Sequence, residues 1–160
     1  MKKLSVVIAI VLGTACGKSE APSAPPAGST APANAEEARP PLIAGYEALR
    51  DRLADDDLAG AQAKAEALAK AAGADVAVAE QATALTKAAD IEAARRVFGD
   101  LSKAYITVLS QKPELAKGLH AFRCPMAEGY QKWVQVDTAM KNPYMGKRML
   151  ECGAKVELVP

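Results

Sequence analysis

Histidine is almost missing from this chain. His120 is the only one among 160 residues, beside three cysteines, one tryptophan and two phenylalanines. A single histidine leaves few ways to build acid–base or nucleophilic catalysis, which need a base held by an orienting partner. Cys124 with His120 makes a thiol–imidazole pair on paper, but nothing supplies the third group. There is no Cys-x-x-Cys pair and no glycine-rich phosphate loop. The chain therefore reads as a protein that is not an enzyme. Long hydrophobic runs are missing too: Leu4 to Leu12 is about as long as a secretory core and too short to span a bilayer. Excess charge is likewise absent, at a formal +1, and such a balance leaves no nucleic-acid footprint.

The N-terminus has a clear layout. Met1-Lys2-Lys3 is a basic start, Leu4 to Leu12 is apolar, and Gly13-Thr14-Ala15 is small before Cys16. That is the pattern of a bacterial lipoprotein signal over 1–15, with Cys16 as the lipidated first residue of the mature chain. Gly13 stands where a large aliphatic residue is usual, so an ordinary cleaved signal that leaves Cys16 as a thiol is the alternative. No aspartate follows Cys16, which favours a periplasm-facing outer-membrane anchor in the bacterial envelope. Cleavage removes Lys2 and Lys3 and no acid, giving 18 basic and 19 acidic residues, a net −1. Residues 17 to about 40 are rich in Ala, Pro, Ser and Gly. They hold too little apolar surface to offset the entropy of ordering, so 16–40 is expected to be a lipid-anchored, disordered tether.

From Pro41 the pattern becomes helical. Leu42, Tyr46, Leu49 and Leu53 recur at helical spacing, with proline in the first turn. Asp55-Asp56-Asp57 breaks that helix and caps the next, about 57–72, whose stripe is Leu58, Ala61, Ala65, Leu68 and Ala72 before Gly73. A third helix is expected from Val76 to Ala89. Asp90 caps or kinks the entry to a fourth, marked by Ile91, Ala94, Phe98, Leu101, Tyr105 and Val108 and stopped before Pro113. Short connections predict an up-and-down bundle of about four helices. From 118 the chain changes character. Leu119–Cys124, Trp133–Val136 and Lys155–Val159 read as short strands, Asn142-Pro143-Tyr144 as a turn, and Gly146–Leu150 as a turn or two of helix. The fold class expected is thus mainly α: one domain over 41–160, with a small irregular lobe over 118–160.

That lobe gathers sulfur. Cys124-Pro125-Met126 is followed by Met145, Met149 and Cys152. Thiolate and thioether together are soft ligands and favour Cu(I). In extended backbone Cys124 and Met126 leave one face. Met145, Met149 and Cys152 stand at i, i+4 and i+7, one stripe if their segment is helical. His120 lies four extended residues from Cys124, roughly 13 Å, so it is a weaker candidate ligand. Trp133 either faces a bound cation or fills the core, and the core is the commoner place for a tryptophan beside valines. The competing use of Cys124 and Cys152 is a disulfide. Across 27 intervening residues it would add about 3–4 kcal/mol in the chain-entropy treatment. Spacing alone leaves the choice open, and oxidation can alternate the two states.

The motifs Cys124-Pro-Met-Ala127, Trp133-Val-Gln135, Asn142-Pro-Tyr-Met-Gly146 and Met149-Leu-Glu-Cys-Gly153 resemble the C-terminal part of a periplasmic helical domain of unknown function, family 3347. The stretch Tyr46–Ser102, with Ala-Asp-Asp-Asp-Leu-Ala and Ala-Ala-Arg95-Arg-Val-Phe98, is similar to its N-terminal part. That domain occurs alone in secreted proteins and attached to membrane-fusion subunits of CusB-type copper and silver efflux pumps. The resemblance implies metal handling: Cu(I), or Ag(I), held by Cys124, Met126, Met149 and Cys152. Met145 stands where the family often has another residue. It implies, too, an efflux-pump subunit as partner, served in trans because the pump portion is lacking here. The combined expectation is a tethered lipoprotein of copper homeostasis acting as chaperone, buffer or sensor. The rival is a disulfide-stapled module that docks an envelope partner without metal.

Overall fold

The computed structural model describes residues 39–158. The expected signal, Cys16 and the tether up to residue 38 lie outside the described residues, as do the last two residues. No described helix is long and apolar enough to cross a membrane.

Four helices come first: α1 (Pro41–Ala54), α2 (Leu58–Ala71), α3 (Val76–Leu85) and α4 (Ile91–Gln111). Pro41 sits at the first turn of α1, where its missing N–H costs nothing. Leu42, Tyr46, Leu49 and Leu53 then bury one face, as their spacing predicts. The acidic run does what its composition suggests. Asp57 caps α2, its carboxylate accepting from Gly60 N at 2.8 Å, while Asp56 takes a left-handed φ of 57° to turn the corner. Ala61, Ala65 and Leu68 are fully buried, and the small residues let α2 pack closely. Gly73 follows α2 at φ 55°, the usual left-handed exit.

The third helix is shorter than expected, ending at Leu85 rather than Ala89. The hydroxyls of Thr83 and Thr86 bond back to the carbonyls of Ala79 and Thr83, competing with the backbone ladder. Asp90 must also be extended to act as a cap, accepting from Ala93 N at 2.7 Å. Gln62 on α2 fixes the intervening turn by donating to the Ala88 carbonyl. Each helix packs chiefly on its neighbour in sequence.

The lobe is a three-stranded antiparallel sheet in the order β2-β1-β3, with β1 His120–Arg123, β2 Lys132–Gln135 and β3 Ala154–Val156. Phe122 faces Trp133 across β1 and β2, their rings 5.5 Å apart. From there a line of buried rings runs into the bundle. Trp133 meets Tyr144 edge-on, Tyr144 meets Phe98, Phe98 meets Tyr46, and Tyr46 stacks on Tyr105 at 4.0 Å. Such pairs add about 0.5–1.5 kcal/mol each beyond the area they bury, so the lobe is joined to α1 and α4 by continuous core. Gly99 of α4 faces the Tyr130 carbonyl, where a side chain would crowd it.

Three buried polar groups align the two layers. Ser102 donates to the Lys132 carbonyl, so the Tyr46 hydroxyl must be the donor in its 2.7 Å bond to Ser102. Arg50, almost wholly buried, reaches the Lys141 carbonyl and pairs with Glu47 and Asp51. Burial pushes the Glu47 carboxyl up, and Arg50 partly offsets this. Arg95 donates to the carbonyls of Leu53 and Pro143 and to the carboxylates of Asp56 and Glu92. Two arginines thus hold the loop 141–143 to the helices.

Candidate functional site

The two cysteines meet. Cys124 follows the end of β1 and Cys152 lies two residues before β3. The antiparallel pairing of Arg123 with Ala154 draws the two segments together. Both are free thiols, Cys124 fully buried and Cys152 half-buried. Desolvation, then the neighbouring Cys124 through its charge and hydrogen bonding, pushes the Cys152 thiol up.

Asn142 sets this geometry. It is fully buried, and its side-chain amide donates to the Cys152 carbonyl. Its oxygen accepts from Tyr144 N at 2.8 Å and Met145 N at 3.1 Å, the side-chain-closed turn that an Asn-Pro start favours. Its own N–H donates to Leu150 O and Cys152 N donates to Met149 O, closing the loop from both ends. Gly146 follows at φ 60° beside Asp56 and Arg95, where no other side chain fits.

The methionines are distributed differently from the extended and α-helical geometry expected above. Pro125 turns the chain, and the Cys124 carbonyl accepts from Ala127 N at 3.3 Å. Met126 therefore swings away from Cys124 and is 57% exposed. The segment Gly146–Met149 is a 3₁₀ turn rather than α-helix. Four residues in that geometry rotate by about 120° beyond a full turn, so Met145 and Met149 do not share a stripe. Met145 is buried and lines a groove with Met126, while Met149 is half-buried against the core.

One sulfur escaped the sequence reading. Met140 packs with its sulfur and the Trp133 ring against Gly153, the residue after Cys152; a Cβ built on Gly153 would lie 3.0 Å from the Met140 sulfur and 3.1 Å from that ring. Its signal was faint, because Met140 precedes the Asn142 motif and joins the cysteines only through the fold. Trp133 itself is fully buried, with its indole N–H donating to Gln135. His120 opens β1 opposite Gln135, with extended backbone between it and Arg123. Among the described residues, no three or more His, Cys, Asp or Glu side chains converge as a metal-binding group.

No protein-family model, curated protein or solved structure matches the chain.

Proposed function

We propose that the chain is a soft-metal carrier of the bacterial envelope, its cargo a single Cu(I), or Ag(I), held between Cys124 and Cys152. The observation that carries the reading is that the β1–β3 pairing brings two free thiols into one neighbourhood. Two thiolates a short distance apart match the low coordination and softness of Cu(I). Further ligands would be thioethers: Met140, whose sulfur lies beside Gly153, and Met149, whose carbonyl accepts from Cys152 N. Loading displaces the thiol protons. Lipidation of Cys16, the tether, a periplasm-facing outer-membrane location and delivery to an efflux-pump subunit complete this reading. They rest on the N-terminal sequence pattern and on the resemblance to the pump-associated domain.

The test is a titration of the reduced chain with Cu(I) against a competing chelator. One tight equivalent, lost in Cys124→Ser/Cys152→Ser, is the expected result. No uptake by the unsubstituted chain would overturn it.

The same proximity supports a second reading. Two neighbouring thiols can become a disulfide on oxidation, and a stapled lobe on a helical bundle would serve as a docking module. A disulfide that persists under excess Cu(I) and reductant would favour this alternative.

A further inference from the structure

The two edges of the sheet differ. The β2 edge is closed by side chains, its Lys132 carbonyl accepting from both Ser102 and Tyr144. The other edge is β3, which pairs with β1 alone. Among the described residues, no hydrogen bond other than that ladder engages the backbone of residues 154–158. Nor does Lys155 or Glu157 make an ion pair there. A bare strand edge is a template for a further strand.

The residues along this edge alternate: Ala154-Lys155-Val156-Glu157-Leu158. Val156 stands opposite buried Ala121, and Val156 and Leu158 both pack half-buried against the core. In extended chain Ala154, Val156 and Leu158 share that face, and the exposed Lys155 and Glu157 share the other.

Charge decides what fits. When a second copy pairs antiparallel about a two-fold axis at Val156, Lys155 falls opposite the partner's Glu157, and this happens twice. Val156 meets its own copy, and Ala154 falls opposite the partner's Leu158. An axis at Lys155 or Glu157 sets like charges face to face, which destabilises the pair. A slip of one residue runs the apolar face of one strand into the charged face of the other. A lone lysine on an edge strand wards off pairing. With Glu157 two residues on, the same lysine selects one register.

We propose that β3 is a homodimer edge, two copies joining antiparallel through residues 154–158 about Val156 into one six-stranded sheet. Its strand order is β2-β1-β3-β3-β1-β2, held in register by two Lys155–Glu157 pairs. Five residues a side make a small interface, so the dimer is weak, with a Kd of about 10–100 µM. Cys152 lies four residues before the axis, so each protomer keeps its own thiol pair. The dimer stands whether or not those thiols carry metal.

Sedimentation velocity on the reduced chain, over concentrations bracketing that Kd, should show a monomer–dimer equilibrium. Lys155→Glu and Glu157→Lys each create two like-charge pairs and should each raise Kd about tenfold or more. Both side chains are exposed, and circular dichroism checks that the fold is kept. Lys155→Glu/Glu157→Lys reverses both pairs and should restore the dimer. An equimolar mixture of the two single variants should form a heterodimer tighter than either variant alone, since the acids of one strand face the lysines of the other. Monomer alone across the series would overturn the proposal. So would a dimer indifferent to the single reversals, or a double reversal and a mixture that associate no better than the single variants.

Discussion

Replacing Asn142 with alanine removes three hydrogen bonds at once: one to the Cys152 carbonyl and two from the N–H groups of Tyr144 and Met145. The site is fully buried, so those N–H groups lose a partner that water cannot readily replace. At about 1 kcal/mol per bond, with the penalty for stranded donors included, the loss should be about 3 kcal/mol. The backbone bond from Asn142 N to Leu150 O survives, which keeps the loop from losing everything. With a urea slope of about 2 kcal/mol per molar, the unfolding midpoint should fall by about 1.5 M. Asn142→Asp is the sharper test. It has the same shape and keeps the two acceptor bonds, but turns a carboxylate oxygen toward the Cys152 carbonyl. It should therefore destabilise by about as much as alanine, and recover partly as acid protonates the new carboxyl. Urea unfolding followed by far-ultraviolet circular dichroism reads both variants. A midpoint within about 0.25 M of the parent for either would refute the view that this side chain holds the loop.

Other expectations follow from single contacts. Because the Cys152 thiol is pushed up by its surroundings, it is protonated at neutral pH and Cu(I) must displace that proton. Apparent copper affinity should rise with pH between about 6 and 9, and a flat competition titration would contradict thiolate binding. Gly146→Ala places a methyl onto the Asp56–Arg95 ion pair at a positive φ, so it should cost at least about 2 kcal/mol in the same unfolding assay. Tyr105 buries a hydroxyl that has no partner among the described residues, whereas Tyr46 spends its own on Ser102. Tyr105→Phe should thus be neutral or stabilising by up to about 1 kcal/mol, and Tyr46→Phe destabilising by about 1 kcal/mol. Equal losses for the two would contradict the hydrogen-bond assignment.

The helices were legible because their apolar residues recur at 3.6-residue spacing and Asp57 and Asp90 cap α2 and α4, information local enough to read from a few turns of chain. Leu42 to Leu53 and Ile91 to Val108 show this best. The end of α3 was missed, since apolar alanines continue the pattern past Leu85 while threonine hydroxyls stop the ladder. The first two strands were legible to within a residue or so, whereas the third, expected over Lys155–Val159, is shorter and ends at Val156. Pairing β1 with β3 was not legible, because Arg123 and Ala154 carry no signal for each other.

The candidate site divides along the same line. Cys124 and Cys152 stand out by chemistry alone. The turn that throws Met126 outward is encoded in Pro125, a local clue that the extended-chain argument passed over. Arg50, Arg95 and Asn142 bind backbone carbonyls and amides, partners that leave no trace in residue types. Met140 reaches Gly153 only after the sheet has formed.

The central claim is that sulfur alone holds the metal, at Cys124 and Cys152. Copper K-edge X-ray absorption on the chain loaded with one Cu(I) tests it most directly. The account predicts a first shell of two or three sulfurs with no nitrogen or oxygen, abolished in Cys124→Ser/Cys152→Ser. A shell dominated by nitrogen or oxygen, or an unchanged sulfur shell in the double variant, would contradict it.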